Sequence, residues 1–175
     1  LTDEPVNLFF ALLSRARDDV MFWQSSFYPQ FVKFGFNDLV RCVNRLGKPS
    51  YKKVFVPVHE KAPGHWFLVV MDFEERIIES MDSLNTTRPK ERENLLKWVE
   101  MEWNSSPRWK GTYERKHWKS RKAHVPCQSN NFDCGVFMCM FAAYRSHDEP
   151  IMFTQANMTQ MRKRLAWSII HETLE

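Results

Sequence analysis

The sequence predicts a single α+β domain, and the order of its hydrophobic patterns is the basis for this. Apolar residues recur at helical spacing over residues 4–15, where Pro5 lies in the first turn. The middle of the chain changes to runs of β-branched and aromatic residues at 54–58 and 65–71, which are apolar on both faces and typical of central strands. Since no repeat or low-complexity linker divides the 175 residues, which are enough for one compact domain with a hydrophobic core, we expect a single domain.

The remaining elements follow from the same patterns. A short helix is compatible with residues 36–46, and residues 76–83 alternate loosely, which favours a third strand. Residues 89–103 have the pattern of an amphipathic helix, whereas residues 135–145 are apolar nearly all round, which is typical of a buried helix. Thr154 is placed to cap a last helix that runs almost to the C-terminus.

Composition narrows the class of protein. No window holds the roughly 18 consecutive apolar residues of a membrane span, and the N-terminal segment lacks the pattern of a signal peptide. The four cysteines form no CxxC pair and have no histidine at zinc-ligand spacing, so we expect free thiols, no metal and no cofactor. Free thiols indicate a reducing compartment, the nucleus or the cytoplasm. The abrupt start also fits a segment of a longer protein whose N-terminal part is missing.

Most of the formal net charge of +4 comes from residues 108–124, which hold seven Lys or Arg against the single Glu114. Cations mixed with tryptophans are found on nucleic-acid surfaces. The alternative is a solvated connecting segment whose tryptophans turn inward, and we favour it because one cluster of this size is weak support for a nucleic-acid partner.

Cys134 is the candidate nucleophile. The segment from residue 128 to residue 135 reads QSNNFDCG and runs directly into the predicted buried helix. A thiol at a helix N-terminus feels the positive end of the backbone dipole, which stabilises the thiolate, and Gly135 permits close approach of a substrate backbone. A lone cysteine before a buried helix is more often a core residue, so the assignment needs partners. Cys139, further along the same segment, is expected to be packing.

A thiolate nucleophile needs a base, and His59 and His65 compete for this role. His65 begins the most apolar strand, which should hold its backbone rigidly, and Asp82 ends the next strand. If these strands form a hairpin with a two-residue turn at 74–75 or at 73–74, the imidazole and the carboxylate lie on one face within reach of each other. A three-residue loop would place them on opposite faces.

Gln128 lies six residues before Cys134 and could place its side-chain amide where an oxyanion develops, beside the backbone N–H of Cys134. An ordinary loop glutamine would have the same spacing.

Taken together, these residues resemble the Ulp/SENP family of SUMO-specific cysteine proteases. The order His65-Trp66, then Asp82, then the block QSNNFDCGVF from residue 128 to residue 137 is the specific part of the resemblance. The opening LTDE, the VPVH segment that ends at His59, and PIMFTQ near the C-terminus extend it over nearly the whole chain.

The resemblance implies a papain-like cysteine protease fold, in which a central helix carries the nucleophile and packs against a mixed sheet that supplies His and Asp. It makes Cys134, His65 and Asp82 the catalytic triad and Gln128 the oxyanion donor. By the same resemblance, Trp66 roofs a narrow channel that admits the C-terminal Gly-Gly of the modifier. Asp3, the acid of the opening segment, is implied to pair with an arginine of the modifier.

The expected function is therefore deSUMOylation of conjugates, SUMO precursor processing, or both, by a single catalytic domain over residues 1–175 that acts as a monomer. Three alternatives stay open at this point. They are a protease for another ubiquitin-like modifier such as NEDD8, an acetyltransferase with the same His–acid–Cys order, and a non-catalytic domain that only binds the modifier.

Overall fold

A computed structural model describes residues 1–35 and 51–174 as a five-stranded sheet with helices on both faces. The elements are, in chain order, α1 (Asp3–Ala16), β1 (Val20–Phe22), α2 (Phe27–Phe34), β2 (Lys53–Glu60), β3 (His65–Asp72), β4 (Ile77–Met81), α3 (Pro89–Ser105), β5 (Lys119–Lys122), α4 (Cys134–Ser146) and α5 (Met158–His171). Short 3₁₀ turns lie at Arg115–His117 and Gln155–Asn157. The helix expected over residues 36–46 lies outside the described residues.

The sheet is mixed and has the order β1-β2-β3-β4-β5. The three central strands are antiparallel neighbours, whereas β1 runs parallel to β2 and β5 runs parallel to β4. Strand β3 is therefore the middle of the sheet and is buried along its whole length. The α+β prediction and the central position of the two apolar runs are confirmed.

Each face of the sheet has its own hydrophobic core, because side chains alternate along β3. Trp66, Leu68 and Val70 belong to a cluster that α1, α4 and α5 cover. Phe67 and Val69 belong to the opposite cluster, an aromatic-rich layer that α2 and α3 cover. The sheet therefore separates two hydrophobic cores within one fold.

Helix α4 is the central helix of the first layer. It packs against β3 and is flanked by α1 and α5, and it is buried over nearly all of its length. Its first residue is Cys134, so the fold delivers this thiol to the end of a buried helix, beside the start of β3.

Sequence patterns missed three elements, namely β1, α2 and β5. The first is only three residues long. Strand β5 reads KSRK, a polar edge strand inside the segment that was interpreted as a connection. The inward orientation expected for the tryptophans of that segment is confirmed, because Trp118 is buried and Trp109 packs against the aromatic core.

Within residues 1–35 and 51–174, no helix combines the length and the apolar character needed to cross a bilayer.

The aromatic core makes a test of the fold possible. Trp98 on α3 is fully buried and meets Trp23, Phe27 and Phe73 edge to face. We expect Trp98→Ala to lower the free energy of unfolding by about 3–5 kcal/mol, because the cavity cannot collapse around rigid rings. Chemical denaturation measures this change. Met101→Ala on the same helix is the control, since Met101 is 40% exposed and should cost less than about 1 kcal/mol. Equal losses in the two variants would contradict the described core.

Candidate active site

The hairpin of β3 and β4 has the register that the sequence hypothesis required. Leu68 pairs with Met81 and Asp72 pairs with Ile77, so residues 73–76 connect the two strands, and the register is the one that a two-residue turn at 74–75 would give. The imidazole Nε2 of His65 lies 2.7 Å from Oδ1 of Asp82, and both side chains are buried. His65 and Asp82 therefore form a hydrogen-bonded pair across the hairpin, as predicted.

Asp82 is held as an ionised acceptor. Its Oδ1 also accepts the backbone N–H of Leu84 at 2.8 Å, and its Oδ2 accepts Nε–H of Arg88 at 2.6 Å. Burial by itself would raise the pKa of Asp82, but the hydrogen bonds from His65, Leu84 and Arg88 outweigh it and lower the pKa below its usual value. An ionised carboxylate can only accept, so it holds the proton of His65 on Nε2.

Cys134 is the third residue of a row that runs from Asp82 through His65 to the thiol. With Nε2 directed at Asp82, the other ring nitrogen, Nδ1, is left for the thiol. Burial would raise the pKa of Cys134, but hydrogen bonds from His65 and from the backbone N–H of Trp66 lower it overall. Burial likewise opposes the charged form of His65, yet its bonds to Asp82 and Cys134 raise its pKa to about 9. The low thiol pKa and the high imidazole pKa favour a thiolate–imidazolium pair.

The other cysteines show by contrast what the site contributes. Cys139 lies one and a half turns further along α4, is completely buried, and burial raises the pKa of its thiol. It packs in the core as predicted. Cys127 is exposed, and neither cysteine is in a disulfide. Cys42 lies outside the described residues.

Access to the nucleophile is narrow, since Cys134 is only 5% exposed. Leu1 lies directly over the start of α4: a Cβ at Gly135 would come within 3.0 Å of the Cβ of Leu1. The indole N–H of Trp66 donates to the carbonyl oxygen of Leu1 at 3.0 Å. Leu1 and the buried Trp66 thus cover the start of α4, and the role of Trp66 as the roof of a substrate channel stays a prediction.

Trp66 is held between two partners. Besides its hydrogen bond to Leu1, its ring stacks on the imidazole of His59, with centroids 4.1 Å apart and planes 3° from parallel. The choice of base between the two histidines is thereby decided geometrically. His65 contacts the carboxylate, whereas His59 supports the indole from the neighbouring strand.

Gln128 is oriented by Ser83, the residue next to Asp82. The side-chain Oε1 of Gln128 accepts the hydroxyl of Ser83 at 2.6 Å, and its backbone N–H donates to the Ser83 carbonyl at 2.9 Å. The Nε2 of Gln128 donates to the carbonyl oxygen of Asn130. A primary amide has two N–H groups, so the second remains for an oxyanion. Its role as oxyanion donor stays a prediction.

The loop before the nucleophile is built around the buried carboxylate of Asp133. Nδ2 of Asn130 donates to it at 2.7 Å and Nε2 of Gln155 donates at 2.8 Å. Arg162 of α5 also donates to it. Burial would raise the pKa of Asp133, and these three bonds lower it overall. Asp133 is thus ionised at the N-terminus of α4, where the helix dipole favours a negative charge.

Sequence reasoning missed the residues that support the site, namely Ser83, Arg88, Gln155 and Arg162. None lies at a motif spacing from the residue it contacts, so only the tertiary structure identifies them. The remaining predicted residues are Asp3, exposed at the start of α1, and Gly135, buried in α4. Their assignment to substrate binding stays a prediction.

Over the described ranges 1–35 and 51–174, no group of three or more His, Cys, Asp or Glu side chains is arranged to hold a metal ion.

The coupling between His65 and Cys134 predicts a titration that NMR of the imidazole can follow. We expect His65 to titrate at about 9, so the imidazolium is present at neutral pH and is lost as the pH rises through that value. In Cys134→Ala the pKa of His65 should fall, because one of the hydrogen bonds that raises it is gone. Cys127→Ala should leave the titration unchanged. A wild-type His65 that titrates at about 6.5, the value of free histidine, would refute the coupling.

Comparison with known proteins identifies the family of the chain. The family model described as "Ulp1 protease family, C-terminal catalytic domain" matches residues 1–174. Sentrin-specific protease 2 of Mus musculus is 31% identical over 180 residues, which cover 99% of this chain and 30% of the relative. Sentrin-specific protease of Caenorhabditis elegans is 30% identical over 181 residues, covering 99% of this chain and 25% of the relative. The chain thus spans less than a third of these relatives' length.

Solved structures agree on the fold. The C-terminal Ulp1 protease domain in complex with Smt3, described as the yeast ortholog of SUMO, superposes with a TM-score of 0.85 at 24% identity, over 98% of this chain and 77% of that chain. The Ulp1-like SUMO protease catalytic domain of Chaetomium thermophilum gives 0.82 at 19% identity, over 100% of this chain and 74% of that chain. The predicted papain-like architecture is confirmed. The chain belongs to the Ulp1 protease family and matches its catalytic domain.

Proposed function

We propose that this domain is a SUMO-specific cysteine protease, which cleaves after the C-terminal Gly-Gly of the modifier and acts on conjugates, precursors or both. The observation that carries the proposal is the buried row of Asp82, His65 and Cys134, in which the thiol pKa is lowered and the imidazole pKa is raised. A domain that only bound the modifier would have no use for this arrangement.

In the proposed mechanism, the thiolate of Cys134 attacks the carbonyl carbon of the last glycine. The negative charge moves to the carbonyl oxygen, where the free N–H of Gln128 and the backbone N–H of Cys134 stabilise it. The C–N bond then breaks as the imidazolium of His65 gives its proton to the leaving amine. His65 next takes a proton from water, the hydroxide attacks the thioester, and the acid leaves as the thiolate re-forms.

The substrate class is inferred from the relatives and from the shape of the site. The relatives are named Sentrin-specific proteases, and the superposable Ulp1 domain was solved with Smt3. Beside a thiol that is 5% exposed, an indole fixed by two partners leaves little room for side chains, which favours glycine at the cleaved end. In this proposal Trp66 and Gly135 contact the glycines, and the exposed Asp3 pairs with an arginine of the modifier.

The proposal includes a cellular setting. Residues 1–175 act as one catalytic unit, as a monomer, in the nucleus or the cytoplasm, where reduced thiols persist. Its partners are SUMO and SUMO conjugates, without nucleic acid or membrane.

Cleavage assays with C-terminal fluorogenic reporters of SUMO and of NEDD8 test the function. We expect the wild-type domain to cleave the SUMO reporter in preference to the NEDD8 reporter. Cys134→Ser should abolish cleavage, because a hydroxyl at this site does not ionise as the thiol does, and should still bind SUMO. Cys127→Ser is the matched control and should cleave normally, since Cys127 is an exposed free thiol. Cleavage by Cys134→Ser, or preference for NEDD8, would overturn the assignment.

Gln128→Ala tests the oxyanion donor. We expect kcat on the SUMO reporter to fall about 10²-fold with KM changed little, because the lost N–H acts on charge that develops only in the transition state. The neighbouring Ser129→Ala is the control: only the backbone N–H of Ser129 has a hydrogen bond among the described contacts, to Gln155. If kcat is unchanged in Gln128→Ala, the backbone N–H of Cys134 suffices and Gln128 serves the loop alone.

A further inference from the structure

The guanidinium of Arg88 is held by three neighbouring side chains beside the catalytic residues. Its Nε donates to Oδ2 of Asp82 at 2.6 Å, and its Nη1 lies 2.7 Å from Oε1 of Glu60. Its Cζ lies 4.2 Å from the centroid of the Phe67 ring, a cation–π distance. The side chain is 9% exposed, so these contacts replace water.

The backbone of Arg88 adopts an uncommon conformation to place this side chain. Its φ of 52° and ψ of 43° lie in the left-handed region, immediately before Pro89 at the start of α3. Residues other than glycine are uncommon there. An uncommon backbone conformation of this kind persists where surrounding contacts stabilise it. Here the three contacts of the Arg88 side chain do so.

The two carboxylate oxygens of Asp82 accept hydrogen bonds from different donors. Oδ1 faces His65 and the backbone N–H of Leu84, whereas Oδ2 faces Arg88. Asp82 is 1% exposed, so without Arg88 its second oxygen would carry charge in a buried place with no donor among the described contacts. A buried carboxylate in that state gains by rotating or by taking up a proton. Either change disturbs the oxygen that orients His65.

We propose that Arg88 is a positioning residue for the reaction: it holds the second oxygen of Asp82 so that the first stays directed at Nε2 of His65. Among the described contacts, the side chain of Arg88 meets Asp82, Glu60 and Phe67 but not the thiol, so in this proposal it acts only through Asp82. The choice of SUMO substrates for the test rests on the proposed function. The contact of Arg88 with Asp82 does not depend on which substrate is cleaved.

A purely structural role is the competing explanation. Arg88 also joins the end of β2, through Glu60, to the start of α3, and it could act only as that tie. The two roles differ in which partner matters. If the tie is the function, Glu60→Gln should be as harmful as loss of Arg88. If positioning is the function, Glu60→Gln should be mild, because Asp82 keeps its donor.

The experiment compares Arg88→Gln, Arg88→Lys, Glu60→Gln and the control Arg92→Gln. Arg92 is also a buried arginine at the start of α3, but it donates to Ser80, Ser120 and the carbonyl of Thr87 and to no residue of the row. A SUMO C-terminal electrophile labels only active protein, so it measures the concentration of active sites in each preparation. Dividing the rate by this concentration gives kcat per active site and corrects for misfolded protein.

We expect Arg88→Gln to lower kcat per site about tenfold with KM changed less than about twofold, because a misdirected His65 affects the reaction and not the binding of SUMO. Arg88→Lys, which keeps the charge and one donor, should recover most of the loss. Glu60→Gln and Arg92→Gln should stay within about twofold of wild type per site. The proposal is overturned if Arg88→Gln has the wild-type kcat per site, or if Glu60→Gln matches it.

A second readout does not depend on SUMO. The rate at which iodoacetamide alkylates Cys134 near pH 6, followed by mass spectrometry, reports the thiolate that His65 maintains. This alkylation rate should fall several-fold in Arg88→Gln and not in Arg92→Gln.

The two proposals can fail separately. A wild-type domain that reacts with no SUMO reagent would overturn the proposed function, and the alkylation rates would still decide for or against the role of Arg88. If Arg88→Gln does not fold, the same measurement on Glu60→Gln decides: positioning requires its alkylation rate to stay within about twofold of wild type, and a rate that falls several-fold would overturn the proposal.

Discussion

The hydrogen bond between His65 and Asp82 is the interaction on which the rest of the site depends. It joins the first residue of β3 to the residue that follows β4, and it forms only because the intervening turn has an even number of residues. One inserted residue would send the imidazole and the carboxylate to opposite cores. The hairpin is therefore under a parity constraint that its hydrophobic residues share, since the same register pairs Leu68 with Met81 in one core and Met71 with Ile78 in the other.

Burial opposes every charge in this site, so the site works by specific hydrogen bonds. Desolvation alone would raise the pKa of Cys134 and of Asp82 and lower that of His65, and in each case the contacts reverse the outcome. Cys139 shows the same helix without such contacts, and there burial raises the thiol pKa. What separates a nucleophile from a core residue on α4 is thus the imidazole of His65 and the N–H of Trp66, together with the position at the end of the helix.

Much of this could be predicted from sequence, because the catalytic residues mark the ends of strongly patterned elements. His65 begins the most apolar strand, Asp82 follows the next one, and Cys134 opens the apolar helix, so periodicity locates all three. The parity argument brings His65 and Asp82 together, whereas the meeting with Cys134 followed only from the resemblance to the family. The polar edge strand β5 has no such pattern, and the two separate cores appear only once the sheet is assembled. The supporting residues could not be predicted for another reason: Arg162 contacts Asp133 from 29 residues away. Arg88 is only six residues from Asp82, but its contact needs a left-handed backbone that no pattern in the sequence signals.

The two buried aspartates of the site solve one physical problem in the same way. Asp82 orients the base and Asp133 holds the loop that ends at the nucleophile, and each is buried, each accepts several hydrogen bonds, and each has an arginine partner from a different helix. Arg88 belongs to the start of α3 and Arg162 belongs to α5. A buried carboxylate oxygen that loses its donor gains by rotating or by taking up a proton, so each arginine helps to fix the direction of its aspartate. The reacting atoms are therefore placed by two helices that contribute no catalytic group, and this explains why a site of three side chains needs a domain with a helical layer on each face of its sheet.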